Sequence, residues 1–206
     1  MNLKKFLKNP FLWAFIIGIV SLHIIKHFAM LRRHAPEPLV EVPDWSLINQ
    51  DNQTFGQRDL LSNVIIASFF FTSCPSICPK LTEAMKELHE RLPEKNIKFI
   101  SITVDPETDT PEHLREFIAK NNLAYNNWSF LTGTRKNIHD VVVNKMRIHM
   151  GEREEIKDTE GVYDIPHMGQ IVLFDQKGRL RGLFKTDSIE LSALVRGAKF
   201  LVEKPD

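Results

Sequence analysis

With 206 residues, 43% of them hydrophobic, and a formal net charge of +1, the chain has the material for one globular domain and a short additional segment. Its 27 Lys and Arg alternate with 26 Asp and Glu instead of gathering into a basic stripe, which excludes a nucleic-acid-binding surface.

The chain starts with the lysine-bearing "MNLKKFLKNP", followed by an apolar run from Phe11 to Ile25 that has no formally charged residue. If Lys26 snorkels, "KHFAML" extends this run to roughly twenty residues, enough for a hydrocarbon core of ~30 Å. Basic, bulky residues follow and no small-x-small cleavage pattern is present. The segment therefore reads as an uncleaved single-pass transmembrane anchor over 11–31, with 1–10 cytoplasmic. Lys4, Lys5 and Lys8 on one side face Lys26, Arg32 and Arg33 on the other, so the positive-inside rule barely decides the orientation. The proline-rich stretch 32–43 reads as a tether to a domain over 44–206.

Within the domain, "VIIASFFF" (64–71) predicts a central strand covered on both faces. Leu81, Ala84, Met85, Leu88 and Leu92 then recur at helical spacing. "IKFISITV" (97–104) predicts a second strand, and Thr110 followed by Pro111 predicts the start of a second helix. Further on, the pattern predicts a helix over 134–145, a strand over 146–150, a charged loop over 151–161 and a strand pair around Gly178. An amphipathic helix over 188–203 closes the chain, with Leu191, Leu194, Val195, Ala198 and Val202 inward. Strands alternating with helices imply an α/β domain, a mixed central sheet with helices on both faces. Such a core does not need a disulfide to hold it together.

Cys74 and Cys78 are the only cysteines, and they lie at the turn from the first strand to the first helix. Four positions apart on one helical face, the two sulfurs can meet, and unpaired N–H groups at a helix start favour thiolate. The pair can close as a disulfide or chelate one metal ion. A bridge over so short a segment removes little chain entropy, so a structural disulfide has a minor stability role. Zinc normally wants four ligands, and no second cysteine pair exists, whereas two thiolates and one imidazole suit copper. Of the eight histidines, His23, His27 and His34 lie in or beside the anchor. His89, His113 and His139 fall in helical patterns and read as solvated surface. His149 and His167, each followed by methionine, are the remaining candidates, and His167 is the better placed, before an apolar strand and after a loop.

The segments "FFFTSCPSICPKLTEAM", "SITVDPETDTPEHLREF", "WSFLTGTRKNIHDVV" and "PHMGQIVLFDQKGRL" occur in this order, and together they resemble the Sco/SenC family over nearly the whole domain. That family comprises membrane-tethered, thioredoxin-like copper proteins that assist cytochrome c oxidase assembly. The resemblance implies a thioredoxin-like fold, with Cys74, Cys78 and His167 as the ligands of one copper ion. It implies delivery of that ion to the CuA site on the copper-bearing subunit of cytochrome c oxidase, or to another copper acceptor. The sequence departs from the family pattern where Asp-His-Ser/Thr is replaced by Pro166, His167 and Met168, which removes the carboxylate that would orient the imidazole. Asp164 is the nearest substitute. The rival expectation is a thiol-disulfide oxidoreductase or redox sensor, with Cys74 attacking, Cys78 resolving and a thioredoxin-like reductant as partner. Either role needs an oxidising compartment: a bacterial inner membrane with the domain in the periplasm, or the intermembrane-space side of the mitochondrial inner membrane.

Overall fold

The computed structural model describes residues 10–31, 37–156 and 163–204. The chain divides into two compact units, Met1–Ala35 and Pro36–Asp206.

The first unit contains helix α1 (Pro10–Leu31), on which Phe11, Trp13, Phe15 and Ile17 are at least half exposed. Among the described residues, no helix is long and apolar enough to cross a membrane. The side chains of α1 are described as far as Leu22, and the described residues do not show the expected transmembrane anchor over 11–31. The side chains of His23 and His27, and all of residues 1–9 and 32–36 including His34, lie outside them.

The second unit is built on strands β1 (Val40–Glu41), β2 (Ser46–Asn49), β3 (Thr54–Gly56), β4 (Val64–Phe70), β5 (Ile97–Thr103), β6 (Trp128–Thr132), β9 (Ile171–Phe174) and β10 (Arg179–Phe184). They form one sheet in the order β1-β10-β9-β4-β5-β6-β2-β3. A separate hairpin pairs β7 (Glu154–Glu155) with β8 (Tyr163–Asp164). Strand β4 runs parallel to β5 and antiparallel to β9, so the sheet is mixed as expected. Every residue of β4 is buried, which requires cover on both faces and explains why its sequence is apolar but for Ser68, whose hydroxyl pairs with that of Ser101. Val40 and Glu41, in the segment read as tether, pair with Leu180 and Arg179.

The helices are α2 (Gln57–Leu60), α3 (Cys78–Arg91), α4 (Pro111–Lys120), α5 (Arg135–His139) and α6 (Ser188–Glu203). Helices α3 and α6 contact each other and β4, while Phe117 of α4 meets Phe70 with ring centroids 5.5 Å apart. The apolar stripe of α3 is buried as its spacing predicts, and Thr110 caps α4 by accepting from the His113 N–H. Helix α6 buries Leu191, Leu194 and Ala198 as expected and Leu201 in addition, leaving the expected inward Val195 and Val202 half-buried.

Two predicted elements differ. The helix over 134–145 is α-helical only to His139 and continues as a π-helical segment, Asp140–Lys145. The run Val141, Val142 and Val143, stiff at χ1, crowds the preceding turn there. The strand over 146–150 shrinks to one bridge, Met150 opposite His167, because Arg147 takes a left-handed φ of 60° that breaks the extended chain.

At the end of β9, Asp175 is 1% exposed and accepts from the guanidiniums of Arg181 at 2.7 Å and Arg179 at 2.8 Å, and from the Lys177 and Arg179 N–H groups. Burial opposes its ionisation, but these donors win and hold the carboxyl below its ordinary range. Asp175→Ala is expected to destabilise the domain by roughly 3 kcal/mol or more in urea unfolding, because it strips the carboxylate from two guanidiniums, that of Arg181 itself buried.

Candidate metal centre

Strand β4 ends at Phe70 and the chain turns, with the Cys74 N–H donating to the Phe71 carbonyl, before α3 begins at Cys78. Pro79 fits the first turn of α3, where a missing N–H costs nothing. The Cys78 N–H, an unpaired donor of that first turn, points at the Cys74 sulfur at 3.4 Å. The non-helical residues 74–77 and the start of α3 thus bring both sulfurs together, although only Cys78 is helical and the single helical face expected for the pair does not form; both residues are buried free cysteines.

His167 arrives from the opposite side, on the segment that follows β8. Its Nε2 lies 3.6 Å from Cys78 Sγ, and its ring meets the edge of Phe71 with centroids 5.8 Å apart. Its Nδ1 lies 2.6 Å from the Ile165 carbonyl oxygen. A carbonyl can only accept, so the proton is assigned to Nδ1 and the Nε2 lone pair faces Cys78. The orienting partner that the sequence lacked at Pro166 is therefore a backbone oxygen. Asp164 does not take that role: its carboxylate accepts from the Ile165 N–H at 2.8 Å. The Ile165–Pro166 bond is trans.

The two thiols are strongly polarised. Cys74 is lowered to about 5, chiefly because Cys78 donates its S–H to the Cys74 thiolate, with burial opposing and contacts to Ser76 and the Cys78 backbone adding. Cys78 is pushed well up, first by giving that hydrogen bond, then by burial, with the charges of Cys74 and Asp164 adding. These are properties of a coupled pair. One proton on Cys78 is flanked by two acceptors, the Cys74 thiolate and the His167 lone pair. Among the described residues, no three His, Cys, Asp or Glu side chains close into a metal-holding set. The arrangement is a chain, Cys74 to Cys78 to His167, with Cys78 in the middle.

The remaining candidates are placed differently from the sequence expectation. His149 is exposed, and Met150 sits across the backbone bridge from His167. His113, expected as solvated surface, is half-buried, with Nδ1 3.1 Å from the Thr108 carbonyl and Nε2 3.5 Å from Thr72 Oγ1. His89 is half-buried too, 2.7 Å from Asn127 Oδ1 and with its ring 4.0 Å from that of Tyr125. Thr72 and Asn127 come from distant segments and Thr108 from the loop before α4, none of which helical periodicity registers. Sequence reasoning also missed the groups behind the two ligand-bearing segments: Thr72, Asp105, Asp109 and Tyr163. The available signal was "DPETDTP", two aspartates in a turn between a buried strand and a capped helix.

The sequence model of the SCO1/SenC family matches residues 33–200. The SCO1 protein homolog of Bacillus subtilis is 32% identical over 143 residues, covering 68% of this chain and 71% of the relative. Among solved structures, BsSco, described as a member of the Sco family of cytochrome c oxidase assembly proteins with a disulfide switch, matches with a TM-score of 0.65 and 28% identity. That match covers 82% of this chain and 99% of the other. ScoI of Bradyrhizobium japonicum with copper bound has the same fold, with a TM-score of 0.62 and 22% identity over 78% of this chain and 98% of its own.

Proposed function

The chain belongs to the SCO1/SenC family, and from that premise we propose that it binds one copper ion as cargo through Cys74, Cys78 and His167 and delivers it to the CuA site of cytochrome c oxidase during assembly. The observation that carries this reading is the meeting of three donors from distant segments: the Cys78 sulfur lies 3.6 Å from His167 Nε2 and the Cys78 N–H 3.4 Å from the Cys74 sulfur, and two sulfurs with one imidazole suit a soft cation. Two ligands of one ion at roughly 2.0–2.3 Å stand about 3.5 Å apart, which matches the 3.6 Å between Cys78 Sγ and His167 Nε2. Binding releases the Cys78 proton, so affinity rises with pH. Delivery is a ligand exchange in which acceptor thiolates or imidazoles replace these three one at a time.

The oxidase's copper-bearing subunit is the acceptor in this reading. Helix α1, about 33 Å long at ~1.5 Å per residue over Pro10–Leu31, serves as a single-pass anchor. It holds the domain on the periplasmic face of a bacterial inner membrane or on its mitochondrial counterpart, and raises the donor's effective concentration near a membrane-bound acceptor.

Titration of the reduced full chain with Cu(I) against a competing chelator tests this. Wild type is expected to bind one ion, and His167→Ala to bind it on the order of 100-fold or more weakly. Equal affinity in the two proteins would remove His167 from the site.

The polarised thiols support a second reading, a reductant of acceptor disulfides. The Cys74 thiolate attacks the acceptor disulfide and forms a mixed disulfide. Cys78, deprotonated as the first acceptor sulfur leaves, then attacks Cys74 and releases the second. Two electrons pass to the acceptor, and a thioredoxin-like reductant restores the pair. This reaction does not need His167.

A further inference from the structure

The loop between β5 and α4 carries two carboxylates that the copper ligands do not explain. Asp105 is 1% exposed and Asp109 fully buried, which is costly unless their oxygens are well used. Asp109 accepts from Thr72 Oγ1 and from Thr103 Oγ1, each at 2.5 Å, and from the Thr72 N–H at 3.1 Å. Thr72 lies two residues before Cys74, so one carboxylate fixes the backbone from which the first thiolate hangs. His113 closes the far side of Thr72, held in turn by the Thr108 carbonyl.

Asp105 reaches the other ligand segment. It accepts from the Tyr163 hydroxyl at 2.5 Å, and Thr108 Oγ1 lies 3.3 Å from the same oxygen. Tyr163 stacks on Phe71 with ring centroids 5.6 Å apart, and Arg153 covers its ring at 3.5 Å. Two residues further on is Ile165, whose carbonyl orients the His167 ring, and then His167 itself. Phe71 touches both Tyr163 and His167. The turn itself is rigid, because the Asp109 N–H donates to the Asp105 carbonyl at 2.9 Å and the Asp105 N–H to Thr103 Oγ1 at 3.0 Å.

We infer that the Asp105–Asp109 turn is a two-armed positioning device: Asp109 acts through Thr72 on Cys74, and Asp105 acts through Tyr163 on His167, so that one turn sets the distance between the two ligand segments. Thr72, Asp105, Asp109 and Tyr163 are positioning residues that touch no ligand atom. The inference rests on the copper reading for its purpose, but its geometry can be tested without copper.

Tyr163→Phe keeps the stack on Phe71 and the contact with Arg153 and deletes one hydroxyl. In the full chain it is expected to weaken Cu(I) binding about 10-fold to 100-fold, the usual cost of losing an outer partner of a ligand. In a His167→Ala background the same change is expected to cost less than about twofold, because the arm then has nothing to position. An equal loss in both backgrounds would mark a general loosening and overturn the His167 arm, as would no loss in either. The copper-free readout is the His167 ring 15N spectrum, in which Tyr163→Phe is expected to broaden or shift the Nδ1 and Nε2 signals. Unchanged signals overturn the arm. If wild type binds no stoichiometric copper while the ring signals still respond, the copper reading fails and the positioning stands. For the other arm, Thr72→Val is expected to weaken Cu(I) binding about 10-fold or more in the wild-type background and less than about twofold in a Cys74→Ala background, with the thermal midpoint followed in parallel. An equal loss in both backgrounds, or no loss in either, overturns it.

Discussion

Cys78→Ala is expected to abolish stoichiometric copper binding and, in the same protein, to return the Cys74 thiol most of the way from about 5 toward its ordinary value of 9. Both effects follow from the middle position of Cys78. Its sulfur adjoins both other donors, lying 3.6 Å from His167 Nε2 and giving its S–H to Cys74. Removing it leaves a thiolate and an imidazole with no donor between them. Removing Cys74 instead spares the Cys78–His167 contact, so Cys74→Ala is expected to retain weak two-ligand binding, with Cys78 relieved of the neighbour that raises it most. Copper titration of the two variants side by side measures this asymmetry. Equal residual affinity in both would mean that the site is a symmetric triangle and that the chain arrangement is wrong. Neither variant can complete thiol exchange, whereas His167→Ala is expected to keep it, so the three together separate delivery from reduction.

The second large effect is the pH profile of the reduced pair. At pH 7 a thiol titrating near 5 is about 99% ionised and one at 9 about 1%. The rate of alkylation at pH 7 nonetheless changes little. Nucleophilicity falls with pKa at a Brønsted slope of ~0.4–0.5, which offsets most of the gain in thiolate fraction. The signature is the shape of the profile: the Cys74 rate is expected to be flat from pH 6 to pH 9 and to fall only below about pH 5, where an ordinary thiol rises steeply throughout. A rate still climbing tenfold per pH unit between 7 and 8 would remove the polarised pair and with it the exchange reading.

Stability follows the same linkage. Between about 5 and 9 the unfolded chain carries a proton on Cys74 that the folded chain has lost, so stability rises with pH across this window. The Cys74 contribution is fully present above 9 and lost as pH falls through about 5. Cys78 is shifted upward, so its contribution is complete below 9 and declines beyond, once the unfolded thiol ionises while the folded one does not. The denaturation midpoint of the reduced chain is therefore expected to peak near pH 9, a rise absent from Cys74→Ala.

Several parts of this fold are legible from local pattern alone because a single physical cause dominates each. An all-buried strand must be apolar except where a polar side chain finds a buried partner, and "VIIASFFF" is apolar but for Ser68, whose hydroxyl pairs with that of Ser101 at 2.8 Å. A helix against a core must repeat its apolar residues at helical spacing, and α3 does, from Leu81 to Leu92. The cysteines are legible as a pair from their spacing, but their sulfurs meet through the non-helical residues 74–77, because only Cys78 lies in α3. The pattern fails where the cause is distant. The two-residue strands β1, β7 and β8 have no periodicity to read, and the π-helical segment and the left-handed Arg147 interrupt a stretch whose composition suits helix and strand equally. His89 and His113 carry helical spacing and yet are held by Asn127, Tyr125, Thr108 and Thr72, none of them on their own helices.

The sequence by itself determined the chemistry available to this protein: two thiols four positions apart, an imidazole before a strand, and no other cysteine to make a different site. Only the tertiary structure decided how these donors stand. It assigned the orientation of His167 to the Ile165 carbonyl, put Cys78 between the other two donors, and tied both segments back to the Asp105–Asp109 turn. The reason is range. Which atoms a chain can offer is written residue by residue, whereas a contact across eighty-nine positions of sequence, as between Cys78 and His167, exists only after the sheet has set its strand order.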